Sequence, residues 1–219
     1  MNSEFLQQVR ATLLSIADPE RAKAMRAYMR DQFEYLGVPT PARRAALKSQ
    51  LRQLKGRGPA HLIALANELW EFPEREYQYA ALDLLDMHRK ELGITDIPAL
   101  LALVQRKSWW DTVDALAGII GEVLRGRHDF MDGALAHENF WMRRIALLHQ
   151  LGWRGNTDSG MLYSYCLALA HEKEFFIQKA IGWALRDYAH HAPEEVRAFT
   201  QEHKDTLAAL SYREANKHL

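Results

Sequence analysis

The chain has 219 residues, 48% hydrophobic and 10% aromatic, enough apolar surface to bury a substantial core and too much for a disordered polypeptide. Lys+Arg and Asp+Glu both total 28, so the formal charge is zero, which weakens the case for bulk attraction to nucleic acid; any DNA-binding cations have to be gathered on one face. No apolar stretch approaches ~18 residues, the N-terminus MNSEFLQQVR lacks the basic-then-apolar layout of a secretory signal, and the lone Cys166 has no internal partner, which together predict a cytoplasmic protein without a membrane segment.

Apolar residues recur at spacings of three and four along the whole chain and alternating β-branched runs are absent, so each predicted element is a helix. In chain order these cover 3–16, 18–35, 41–54, 58–70, 74–90, 96–106, 109–125, 129–136, 139–151, 159–171, 175–190, 193–203 and 206–218. Thr40-Pro41 reads as an N-cap followed by proline at the first helical position, Pro73 and Pro193 open helices, and Gly37, Gly56, Gly58, Gly93, Gly152 and Gly155 fall in connections. No linker separates two halves, so residues 1–219 are expected to form a single domain.

A longer period overlies the helical one. Arg44, Tyr79, Asp114, Arg144, Lys179 and Glu214 head the strings RAAL, YAAL, DALA, RIAL, KAIG and EANK, at steps of 35, 35, 30, 35 and 35 residues. A repeat of that size accommodates two short helices and a turn, the signature of an α-solenoid. The expected fold is therefore all-α, with about six helical repeats presenting the same slot on one concave surface. On 74–88, Tyr77, Ala80, Ala81, Leu84 and Leu85 form the core stripe, while Arg75, Tyr79, Asp83 and Asp86 share the opposite face. On 175–190 the polar face carries Lys179, Trp183, Arg186 and Asp187.

Two tryptophans lie on these guest-facing stripes. Trp110 and Asp114 are four residues apart and so share a helix face; Gly118 and Gly121 follow on the same stripe and leave space beside the carboxylate. Trp183 lies one turn beyond the slot residue Lys179. Trp70, Trp109, Trp141 and Trp153 read as packing residues, and Cys166, within YCLALA, as a buried structural thiol. Arg43, Arg44, Lys48, Arg143, Arg144, Lys179 and Arg186 supply cations for a phosphate-tracking stripe, and the free amides at the helix start near Thr40-Pro41 add to it. The ten histidines lack metal-ligand spacing, and neither a Gly-rich phosphate loop nor a Ser-centred elbow is present. No metal, no cofactor, and no nucleotide hydrolysis or acyl transfer is expected.

The stretches YMRDQFEYLGVPTPARR (28–44), KSWWDTVD (107–114), FWMRRIALLHQL (140–151), KEFFIQKAIGWALRDYA (173–189) and LSYREANKH (210–218) resemble, in order, the AlkD-like DNA alkylation repair glycosylases, which are built from HEAT-like helical repeats. The resemblance spans nearly the whole chain, and SWWDTVD and FFIQKAIGW are its most specific strings. It implies a catalytic aspartate at Asp114, an active-site tryptophan at Trp110, a second cleft tryptophan at Trp183, a DNA-clamping arginine at Arg144 and an N-terminal tyrosine near the lesion at Tyr28. It also implies excision of positively charged alkylpurines, 7-methylguanine and 3-methyladenine, from double-stranded DNA by an enzyme that grips backbone and sugar without a deep base-flipping pocket; an array with its own end helices is separately expected to be a monomer. An N7- or N3-alkylated purine carries a formal positive charge and departs neutral, so one carboxylate facing the developing sugar cation suffices. The competing expectation is a non-catalytic helical-repeat scaffold that binds protein or distorted DNA, because a solenoid alone never establishes an enzyme.

Overall fold

The computed structural model describes residues 2–219. Its α-helices are α1 (Asn2–Ser15), α2 (Pro19–Tyr28), α3 (Thr40–Arg52), α4 (Pro59–Glu71), α5 (Arg75–Met87), α6 (Ile97–Val104), α7 (Trp110–Leu124), α8 (Met131–Leu135), α9 (Phe140–Leu148), α10 (Ser159–Ala168), α11 (Phe175–Ala189), α12 (Pro193–Glu202) and α13 (Ala209–Ala215). Short 3-10 turns occur at Arg89–Glu91, Ile94–Asp96 and Arg154–Asn156, and no strand is present among the described residues. The architecture is all-α and solenoid-like. Each of the thirteen predicted helices has its counterpart, and the six slot residues fall on α3, α5, α7, α9, α11 and α13, every second helix.

The chain forms two compact units, one ending at Ala99 and the other beginning at Leu100. In the first, α3 and α4 pack on α5, and α1 packs on α3 and α4. Leu47 and Leu51 of α3, Leu62, Leu65, Leu69 and Trp70 of α4, and Tyr77 and Leu84 of α5 form its core. In the second unit the slot helices α7, α9, α11 and α13 contact one another in sequence, while α8, α10 and α12 pack against that row. A repeat of about 35 residues places like helices in like layers, and the apolar stripes at spacings of three and four supply the seams.

Local signals account for several boundaries. The Asp18 carboxylate accepts from the amides of Glu20 and Arg21 at the start of α2, where Pro19 takes the first helical position. Asn139, Asp158 and Glu174 cap α9, α10 and α11 in the same way. At α3 the expected cap shifts by one residue. Thr40 lies inside the helix, Pro39 precedes it without a side-chain cap, and the Thr40 hydroxyl instead accepts from Arg43. Pro73 stands before Glu74, the residue preceding α5, rather than inside the helix.

Two expectations fail for non-local reasons. The helix predicted over 18–35 stops at Tyr28, where Arg30 and Asp31 both adopt φ of 55°. Downstream, the amides of Leu36, Gly37 and Val38 donate to the buried carboxylate of Glu76 at 2.9–3.0 Å. That carboxylate supplies the partners a continuing helix would have supplied, so an extended segment satisfies its backbone. Arg75, placed by periodicity on the polar face of α5, is fully buried, its guanidinium carbon 3.8 Å from the centroid of the Phe33 ring. A cation over an aromatic face offsets part of the desolvation.

Candidate active site

Asp114 sits on the first half of α7 in the second unit. Thr112, Val113, Leu116, Ala117, Ile119 and Ile120 turn the apolar side of this helix into the core, which leaves Asp114 at its margin with a side chain 21% exposed. One turn earlier, Trp110 is partly exposed on the same face.

The neighbouring slot helix brings the counter-ion. Arg144 of α9 donates to both carboxylate oxygens, Nε to Oδ1 at 2.7 Å and a terminal nitrogen to Oδ2 at 2.8 Å. Its other terminal nitrogen donates to the carbonyl oxygen of Phe176 on α11. The guanidinium is thus the joint of three helices, and its side chain is only 1% exposed. Bidentate geometry fixes the plane of the carboxylate as well as its charge. Burial nevertheless raises the Asp114 pKa, the bonds and charge of Arg144 pull it down, and Asp111 adds a smaller upward push; the net direction is upward.

Trp183 of α11 closes the other side of the pair. Its ring centroid lies 5.4 Å from the guanidinium carbon of Arg144 and 5.4 Å from Nζ of Lys179. Lys179 in turn bonds Glu214 of α13 at 3.0 Å, and Arg186 reaches the second oxygen of the same carboxylate at 3.1 Å. Four successive slots therefore form a charge-paired series, Asp114 with Arg144 and Lys179 with Glu214, bridged by one indole.

Behind this series stands an aromatic wall. Trp109 packs on Trp141 and Phe176 with centroids 5.9 and 5.3 Å apart, and Trp141 meets Phe176 at 4.9 Å. Trp109 and Trp141 are packing residues, as their sequence context implied. Phe176 and Glu214 were missed as site residues. Phe176 was hidden within the string that carries Lys179, and Glu214 was marked only by its place in the repeat.

The glycine stripe divides in two. Gly118 is exposed with open space where a Cβ would stand, whereas a Cβ on Gly121 would collide with the carbonyl oxygen of His149. Gly121 therefore permits the approach of α7 to α9 and does not leave room beside the carboxylate.

The remaining cations expected at the site differ in availability. In the first unit Arg43 is 3% exposed; it bonds Asp83 at 3.0 Å and lies 4.9 Å from the centroid of the Tyr79 ring. Arg44 shares Asp83 at 2.8 Å but keeps its side chain 64% exposed. Lys48 is exposed one turn further on, and Tyr28 is 73% exposed at the end of α2. Among the described residues no group of three or more His, Cys, Asp or Glu is arranged to hold a metal ion, and no helix is long and apolar enough to cross a membrane.

The sequence profile of a family described as DNA alkylation repair enzyme matches residues 9–219. Among solved structures the chain is similar to a predicted DNA alkylation repair enzyme from Enterococcus faecalis, with 34% identity and a TM-score of 0.86 over 93% of this chain and 96% of that one. A search of curated proteins returned no match.

Proposed function

Because the chain belongs to the DNA alkylation repair enzyme family, we propose that it is a DNA glycosylase that hydrolyses the N-glycosidic bond of cationic alkylpurines, 7-methylguanine and 3-methyladenine, in duplex DNA. The observation that carries this reading is a partly exposed carboxylate, Asp114, held in plane by Arg144 beside the indole of Trp183.

In this mechanism the C1′–N bond breaks and its electron pair leaves with the purine, which becomes neutral without protonation. The deoxyribose is left as an oxocarbenium-like cation. Asp114 faces that charge and orients a water, whose oxygen adds to C1′ while its proton passes to the carboxylate or to solvent. A carboxylate has about four lone-pair positions. Arg144 takes one on each oxygen and leaves the others for sugar and water. Burial raises the Asp114 pKa, and the bonds and charge of Arg144 oppose that rise and favour the carboxylate form. Trp110 and Trp183 exclude bulk water and add about 0.5–2 kcal/mol of cation–π stabilisation, too little to be the main effect.

Arg144, 1% exposed and committed to Asp114 and the Phe176 carbonyl, serves first as the counter-ion, and Lys179, 22% exposed, is the cation for a phosphate beside the lesion. Within the first unit Tyr28, Arg44 and Lys48 meet the DNA, while Arg43 acts by holding Asp83. Selectivity follows from leaving-group charge, since a neutral lesion requires an acid that this site does not offer. The same reading makes the protein a cytoplasmic monomer of HEAT-like repeats that needs no cofactor.

The test is release of 7-methylguanine from methylated duplex DNA. Asp114→Asn is expected to lower the single-turnover rate on the order of 10²–10³-fold with DNA affinity retained. Absence of release by the wild type, with binding intact, leaves the scaffold reading in its place.

A further inference from the structure

The final slot residue, Glu214, has no part in the chemistry above, yet three side chains of α11 converge on it. Lys179 and Arg186 each give it a hydrogen bond, at 3.0 and 3.1 Å, to different oxygens. Trp183 lies between them in the sequence of α11, with Nζ of Lys179 5.4 Å from its ring centroid. The carboxylate is 15% exposed. The Lys179 ammonium, with help from Arg186 and the Trp183 indole N–H, holds its pKa below the usual carboxylate range against the upward push of burial.

The backbone is shaped to bring it there. Gly182 faces α13, and a Cβ at that position would collide with the Cβ of Glu214 and crowd the carbonyl oxygen of Ser211. α11 and α13 thus approach where the carboxylate has to reach the Trp183 turn.

Resting on the glycosylase reading, we propose that Glu214 is a positioning residue that acts through Trp183. Glu214 pins Lys179 against the indole and so sets the ring that flanks the Asp114–Arg144 pair. It also balances charge. Arg144 and Lys179 lie against Trp183, and Arg186 shares Glu214 with Lys179, so three cations stand against the two carboxylates of Asp114 and Glu214. Without Glu214, three positive charges to one negative would face a transition state that is itself cationic.

A double-mutant cycle tests this on the full-length protein, with a duplex carrying a single 7-methylguanine. Single-turnover release and the Kd for that duplex are measured for wild type, Glu214→Gln, Glu214→Ala, Trp183→Phe and the two double variants. Ser211→Ala serves as a control, because its hydroxyl bonds the Gln178 carbonyl across the same helix pair at 2.9 Å. Both Glu214 variants are expected to slow release from saturated complexes on the order of 10-fold, whatever the change in Kd, and this loss should largely vanish when Trp183 is already Phe. An equal loss in both backgrounds, the same loss in Ser211→Ala, or a wild-type rate for Glu214→Gln overturns the proposal.

A second readout does not depend on base release. The Trp183 contribution to fluorescence, obtained as the difference from Trp183→Phe in each background, should change on Glu214→Gln and not on Ser211→Ala. If the wild type releases no purine, the glycosylase reading fails, and an unchanged difference spectrum separately removes Glu214 as a positioning residue.

Discussion

On the proposed reading Asp114 acts as a carboxylate in a place where charge is poorly solvated. Burial drives its pKa upward and Arg144 is the main opposing influence. Activity that needs the ionised carboxylate declines as pH falls through that pKa. Removing Arg144 lets the pKa rise further, so the declining limb has to move to higher pH. In a pH–rate profile of 7-methylguanine release, Arg144→Gln is expected to lower the neutral-pH rate and shift the acid limb toward neutrality. A uniform loss at every pH would assign Arg144 to phosphate contact alone. With only 1% of its side chain exposed and bonds to both oxygens of Asp114, Arg144 is a counter-ion before it is a clamp.

Two glycines one turn apart in α7 serve the site differently. At Gly121 an added methyl meets the His149 carbonyl, a backbone atom that moves only if α9 moves. Gly121→Ala is expected to cost about 1–3 kcal/mol in urea unfolding and to slow base release, since a displaced α9 carries Arg144 away from Asp114. At Gly118 the same methyl enters open space. Gly118→Ala is expected to stabilise the protein by about 0.5–1 kcal/mol through helix propensity alone. Equal effects at both positions would refute the helix-packing role of Gly121. The same device recurs at Gly182, where α11 meets α13, so close approach of slot helices is what joins the charge pairs of successive repeats.

For a molecule with a net charge of zero, DNA affinity has to come from particular exposed cations and not from its overall field. Arg44 and Lys48 are exposed, and each replacement by Ala is expected to flatten the dependence of log Kobs on log salt by about one unit. Arg43 lies one residue away but is 3% exposed and committed to Asp83. Arg43→Ala is expected to lower stability and leave the salt slope unchanged. A flattened slope for Arg43→Ala, or none for Arg44→Ala and Lys48→Ala, would contradict this division.

The helices, the 35-residue period and the sharing of one helix face by Trp110 and Asp114 were legible because they are local. A helix is written in residues three and four apart, and a repeat in strings of similar composition. Hence Trp110 and Asp114 could be placed on one face of α7 without coordinates. What lies between helices was not legible. The early end of α2 depends on Glu76, about 40 residues downstream of the Leu36 amide it accepts. The burial of Arg43 and Arg75 depends on Asp83, Tyr79 and Phe33 in other elements. Gly121 looked like a gap beside a carboxylate until α9 occupied it. The pairing of Asp114 with Arg144, and of Lys179 with Glu214, was present in the sequence only as entries in a period. Tertiary packing turned those positions into partners, because charge pairing and desolvation are set by distances across helices, which the order of residues within one helix does not contain.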